Sequence, residues 1–185
     1  MLRRFAVVLV LSSLGCSHAP AAGPAQVIII RHAEKPEKGH DLSPKGRQRA
    51  AALVPYFLET PEVTEHKTPV AIYAQKRTEA NPSRRPVETV KGLAAALKLD
   101  LIEVANEDYA AMVKEIQGKP EYAGKTVLIC WSHSSIPDIA KAFGVKDPPH
   151  WHDSAFDRTW VITFADGKAS LNDLPQRLMY GDSKK

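Results

Sequence analysis

Only two cysteines, Cys16 and Cys130, occur in the chain, so no disulfide framework staples it. Cys130 lies within the apolar run "TVLICW", where a thiol serves as a small core hydrophobe rather than a reactive group. No run of Lys or Arg resembles a nucleic-acid tract. The formal net charge of +4 falls to about +2 without Arg3 and Arg4, so polyanion binding is not indicated. There is no internal repeat, and low complexity is confined to a short tether near the start. At 185 residues the chain suits one ordinary domain with a sizeable core and not a second full one.

The opening "MLRRFAVVLVLSSLGCSHAPAAG" reads as a basic segment, an apolar stretch from Phe5 to Leu14 and then small residues, which is the pattern of a secretory signal. It is too short to span a bilayer. "SLGC" resembles the lipobox of bacterial lipoproteins, with Gly15 before Cys16 but Ser13 where Leu is usual. The rival is cleavage in "APAAG", after Ala21 or Ala22. Residues 1–22 are therefore expected to be a signal segment and residues 17–25 a flexible tether, with one domain over 26–185. The expected destination is outside the cytoplasm, periplasmic or membrane-anchored. If Cys16 is acylated, the anchoring comes from the lipid chains.

From Gln26 onward, short apolar runs alternate with helical periodicity. "QVIIIR", "PVAIYAQ", "DLIEVA" and "KTVLICW" read as strands. "SPKGRQRAAALVPYFLE" reads as a helix with Ser43 as N-cap, Pro44 in the first turn and an apolar face of Ala51, Leu53, Val54 and Phe57. Further helices are expected over "RRPVETVKGLAAALKL", from about Glu107 to Ile116, and over "SIPDIAKAFG", whose Gly suits a helix end. "RTWVITF" and "ASLNDL" flank a Gly-containing hairpin turn. Strands alternating with helices predict an α/β fold of three layers, a mostly parallel central sheet with helices on both faces.

Ligands of such sheets bind beyond the carboxyl ends of the strands. Arg31 and His32 stand at that address on the first strand, and His133 follows the "TVLICW" strand, before a helix whose free N–H groups can face an anion. Arg85 lies near the start of the helix after the second strand, with Arg84 beside it. Two imidazoles and two guanidinium groups are thus expected to meet at one edge. Histidine is a competent nucleophile, and arginine forks match phosphoryl oxygens. Phosphoryl transfer through a phosphohistidine is the chemistry these residue types suit, and positioning with cationic stabilisation supplies most of its rate, with no step that needs a metal.

The segments "RHAEK", "LSPKGRQRA", "RPVET" and "SHS", in that order, resemble the motifs of the histidine phosphatase superfamily, which includes the phosphoglycerate mutases. The resemblance runs from Val27 to about Phe164. It implies a phosphoglycerate mutase-like fold and a small phosphorylated substrate, with no cofactor. It also implies His32 as nucleophile, Arg31 and Arg85 as phosphate ligands, His133 as a further phosphate partner in the transition state, and Ser43 near the substrate. Two positions depart from the family pattern: Ala33 stands where Gly is usual, and Ser134 where Gly or Asp commonly follows the second His. With no Asp at 134 the general acid must come from elsewhere. The mutase-like branch places a Glu after the third strand, which nominates Glu107, with Asp108, Asp153 and Asp157 as the other candidates. The leader and the Arg-His-Ala-Glu opening also resemble an exported group that removes phosphate from lipopolysaccharide core sugars.

Glu34 and Lys35 read either as pocket-shaping residues or as a solvated charge pair. "HWH", His150 to His152, has the look of a metal ligand pair but no third ligand, so no metal site is expected. Trp151 and Phe156 read as a wall over the pocket or as ordinary loop packing. The expected activity is a metal-independent phosphomonoester hydrolase. The alternatives are a phosphomutase and a non-catalytic phosphate-binding lipoprotein of the same fold.

Overall fold

The computed structural model describes residues 23–184. The leader, Cys16 and most of the tether lie outside the described residues. Six strands, β1 (Gln26–Arg31), β2 (Ala71–Gln75), β3 (Leu101–Val104), β4 (Thr126–Trp131), β5 (Arg158–Ala165) and β6 (Lys168–Pro175), form one sheet in the order β3-β2-β4-β1-β5-β6. The first four pair in parallel, and β5 and β6 add antiparallel at one side. The helices are α1 (Pro44–Glu59), α2 (Pro61–Thr64), α3 (Arg85–Leu97), α4 (Tyr109–Gly118) and α5 (Ile136–Ala142).

Every residue of β1 and β4 is buried. Both sheet faces are covered, which is why these strands read as unbroken apolar runs instead of alternating ones. Successive side chains still part to opposite faces. Ile28, Ile30, Ile72, Leu128 and Cys130 meet Leu53 and Phe57 of α1 and Val90 and Leu93 of α3. Val27, Ile29, Tyr73, Ile129 and Trp131 meet Met112 and Ile116 of α4 and Ile136 and Ile139 of α5. Full burial pushes the Cys130 thiol pKa upward, in keeping with an inert core residue. Among the described residues no helix is long and apolar enough to cross a membrane.

Three local expectations shift. Helix α1 buries Gly46, Arg49, Leu53, Tyr56 and Phe57, while Ala51 is exposed. The helix is turned so that Arg49 points inward, because the interior offers it carboxylates and an Ala methyl has little surface to bury. Pro55, which cannot donate to the Ala51 carbonyl, sits with it on the exposed side of the helix, where a carbonyl is not cut off from solvent. The helix expected from Glu107 begins instead as a 3-10 turn, Asn106–Asp108, before α4. Helix α5 is only seven residues long and carries Pro137 in its first turn, which removes one of the N–H donors expected there. The β5–β6 turn follows expectation. Asp166 and Gly167 have φ of 50° and 71°, the left-handed pair of a tight hairpin.

Candidate functional site

In-register pairing of β1 with β4 sets Arg31 beside Trp131, and the amide of His32 donates to the Trp131 carbonyl at 3.0 Å. The residues that follow, His32 on one strand and Ser132 and His133 on the other, leave the sheet side by side. Parallel topology thus brings together histidines a hundred residues apart in sequence.

His32 is 5% exposed, and its Nδ1 lies 2.7 Å from the Ala33 carbonyl. A carbonyl only accepts, so Nδ1 holds the proton and the neutral ring keeps its lone pair on Nε2. Burial pushes the His32 pKa down, to about 3. The Ala33 carbonyl opposes this, and the charges of Arg31, Arg85 and His133 reinforce it. His32 is therefore an uncharged imidazole at neutral pH, within reach of the fields of the other three groups. His133 is half-buried and also shifted down by burial and by Arg31, against Asp153, with Lys35 and His150 adding to the downward push.

Arg31 is 2% exposed. Its Nη1 donates to the backbone carbonyls of His152 at 3.4 Å and Ala155 at 3.1 Å, and to that of Asp153. The Phe156 ring lies over the guanidinium, 3.8 Å from Cζ to centroid. These partners are neutral, so they orient the group without cancelling its charge. Burial lowers the Arg31 pKa to about 10, which still leaves it cationic. Arg85 is the first residue of α3 and donates from Nη1 to the Gly39 carbonyl at 3.0 Å. Arg84 turns outward to Asp41 at 3.4 Å, with both side chains about half exposed. The charge of Arg85, by contrast, reaches His32. The Nε atoms of Arg31 and Arg85 are both buried and lack an acceptor. Buried donors without partners are costly, and here two of them belong to cations whose charges reach His32.

The surrounding frame explains the motifs. Thr89, in "RPVET", accepts the Ala33 amide at 2.9 Å and donates to the Arg85 carbonyl at 2.7 Å, tying the His32 turn to the helix that carries Arg85. Sequence reasoning assigned Thr89 no role, although its motif was in view. Glu88 accepts the Leu42 amide at 2.8 Å. Gly46 is required by close approach: a Cβ there would meet the Glu34 carbonyl oxygen at 2.3 Å. Ser43 is the N-cap expected, its hydroxyl accepting the Gly46 amide at 3.0 Å, so the hydroxyl is engaged in the helix start.

The acid candidates separate. Glu107 and Asp108 are exposed in the 3-10 turn, and no hydrogen bond or ion pair engages the Glu107 side chain among the described residues. The inward position belongs to Asn106, whose Oδ1 accepts from Trp131 Nε1 at 2.8 Å and Ser135 Oγ at 2.9 Å. Asp157 is spent on the Ser183 amide at 2.6 Å. Asp153 is exposed, and its charge acts on both Arg31 and His133. Glu34 neither pairs with Lys35 nor faces solvent. It is buried against Arg49, because Lys35 points to water while Arg49 comes inward on α1. Trp151 belongs to the core, with its ring centroid 5.0 Å from that of Trp160. Phe156 lies against the histidine, its ring centroid 6.0 Å from that of His32. His150 and His152 are exposed, and among the described residues no group of three or more His, Cys, Asp or Glu could hold a metal ion.

The architecture recurs in solved structures. The protein histidine phosphatase SixA, solved with tungstate, is 15% identical over 82% of this chain and 97% of its own, with a TM-score of 0.51. An Escherichia coli K-12 protein assigned as an alpha-ribazole-5'-P phosphatase is 13% identical over 84% and 98%, with a TM-score of 0.54. The phosphoglycerate mutase of Bacillus anthracis is 11% identical over 83% and 94%, with a TM-score of 0.50. No protein-family model matches the chain, and neither does any curated protein. The chain shares the α/β fold of these solved structures, a phosphoglycerate mutase among them.

Proposed function

We propose that the protein is a histidine phosphatase that hydrolyses phosphomonoesters through a phosphohistidine on His32. The observation that carries this reading is the pair of acceptorless guanidinium Nε donors beside a buried, neutral imidazole with Nε2 free. A tetrahedral dianion would satisfy both donors and neutralise both charges. His32 Nε2 attacks phosphorus, the bond to the leaving oxygen breaks, and that oxygen takes a proton from an acid. Water then attacks the phosphohistidine, returning the proton to the acid and freeing phosphate. Arg31, Arg85 and His133 hold the phosphoryl oxygens as their charge redistributes. The proton donor is assigned to Asp153, whose backbone carbonyl accepts from Arg31 Nη1 and so sets the residue beside the cradle, with Glu107 as the comparison. The fold is shared with a phosphatase solved with tungstate, itself a tetrahedral oxyanion. The leader supports export, with lipid on Cys16 as the anchor, which fractionation of a Cys16→Ala strain tests.

The test is hydrolysis of p-nitrophenyl phosphate across pH, with and without chelator, in wild type and His32→Ala. Turnover that survives chelator and disappears in the variant supports the enzyme, with a 32P label trapped on His32. Return of the phosphoryl group to an acceptor alcohol, in place of release to water, identifies a mutase. Phosphate binding without turnover identifies a binding protein, a reading favoured by the exposure of both Asp153 and Glu107.

A further inference from the structure

Arg49 takes no part in the phosphate cradle, yet it is 2% exposed and all three of its guanidinium nitrogens are engaged. Nε donates to both Glu34 oxygens at 3.1 Å, and Nη2 to Oε1 at 2.8 Å. On the far side Nη2 and Nη1 reach the two Asp182 oxygens at 2.7 and 2.9 Å, and Nη1 also reaches Gln176 Oε1 at 3.1 Å. Asp182 in turn accepts the amides of Leu178 and Met179 at 2.9 and 3.0 Å. Two carboxylates against one guanidinium leave a negative excess, and Lys45, 3.7 Å from Glu34, offsets it from the surface.

Both ends of this cluster lead to the histidine site. Glu34 follows His32 by two residues, its carbonyl accepts the Ser43 amide at 2.9 Å, and its main chain lies against Gly46. The segment that carries Asp182 is also bonded to Asp157. The Gln176 amide donates to its carbonyl at 2.8 Å, and the Ser183 amide to its carboxylate at 2.6 Å. Asp157 follows Phe156, whose ring covers Arg31. A planar guanidinium gripped on two edges fixes direction as well as distance, which an ammonium group would not.

We propose that Arg49 is a positioning residue and that residues 176–184 are a brace. Docked through Arg49, Asp182 and Asp157, the brace holds the turn behind His32 and the loop over Arg31 at the separation phosphoryl transfer requires. The inference rests on the reading of His32 as nucleophile.

Asp182→Asn, close to isosteric, and Arg49→Lys test it, with Asp182→Glu as the conservative rescue. Each is compared with wild type and His32→Ala at a temperature where circular dichroism shows it fully folded. The readouts are kcat and KM for p-nitrophenyl phosphate, and the 15N NMR signals of the His32 ring, assigned by their absence in His32→Ala. Expected are a kcat lowered about tenfold or more with KM changed about twofold at most, a displaced His32 signal, and partial recovery in Asp182→Glu. A lower melting temperature with kcat and the His32 signal both at wild-type values overturns the proposal and leaves the segment a fold brace only. If wild type shows no turnover, the phosphatase reading fails on its own. The brace is then judged by the His32 signal, and an unmoved signal in Asp182→Asn overturns it.

Discussion

Substituting alanine at Gly46 sets two effects of opposite sign against each other. Alanine is the better helix former by at most about 1 kcal/mol, which favours the variant. Against this, the added Cβ would lie 2.3 Å from the Glu34 carbonyl oxygen and 3.0 Å from its nitrogen. A comfortable carbon–oxygen contact is about 3.3 Å, so α1 and the turn behind His32 must separate by about 1 Å. Both partners are backbone, so no side chain can swing aside. Such overpacking costs about 1–3 kcal/mol, and an immovable neighbour places Gly46 at the upper end. The net loss of about 2 kcal/mol corresponds to a melting temperature lower by about 4–8 °C for a domain of this size. Gly92, on α3, is the internal control, since a Cβ there meets only a Val54 methyl at 3.7 Å, an ordinary contact. Gly92→Ala should therefore gain about 0.5–1 kcal/mol. Thermal melts by circular dichroism read both variants. A Gly46→Ala protein that melts at or above wild type, or a Gly92→Ala protein that melts well below it, refutes the reasoning from close approach.

Thr89→Val keeps the volume but leaves the buried Ala33 amide without its acceptor, and should cost about 1–3 kcal/mol in urea unfolding, whereas Thr89→Ser should cost less than half as much. His32 makes stability pH-dependent in a definite direction. Its folded pKa of about 3 is below the unfolded value of 6.5, so the unfolded chain binds more protons between them. Its contribution is complete above pH 6.5 and is lost as pH falls toward 3, at up to about 1.4 kcal/mol per pH unit. In His32→Gln the acid limb of the unfolding profile should be shallower, and an unchanged slope would assign acid sensitivity to other groups. Arg85→Ala should lose roughly a hundredfold in kcat/KM, together with phosphate affinity measured by calorimetry. Arg84→Ala, whose side chain pairs with Asp41 at the surface, should change either by less than about twofold. Equal effects would mean that the wrong arginine was assigned to the cradle.

Local pattern alone determined most of the scaffold. The runs "VIII" and "VLIC" are strands because only a sheet covered on both faces buries every residue in a row, and Ser43-Pro44 starts α1 because a hydroxyl and a ring suit a helix beginning. Once parallel strands were expected, the addresses of Arg31, His32, Arg85 and His133 followed, since each lies just beyond a strand or at the start of the helix after it. What local pattern could not contain was the identity of each charge's partner. Arg49 and Asp182 are 133 positions apart, and Arg31 meets carbonyls more than 120 positions away. Helical periodicity ranks residues by apolarity, so it turned Ala51 inward and gave no reason to bury Arg49. Glu107 was nominated by its place in the chain, and tertiary packing leaves it exposed in a 3-10 turn, sets Asn106 inward, and brings the Asp153 carbonyl, 122 positions away, to Arg31. Strand and helix formation is decided among near neighbours, whereas a buried ion finds its counter-charge only where folding has excluded water, and only the tertiary structure decides where that is.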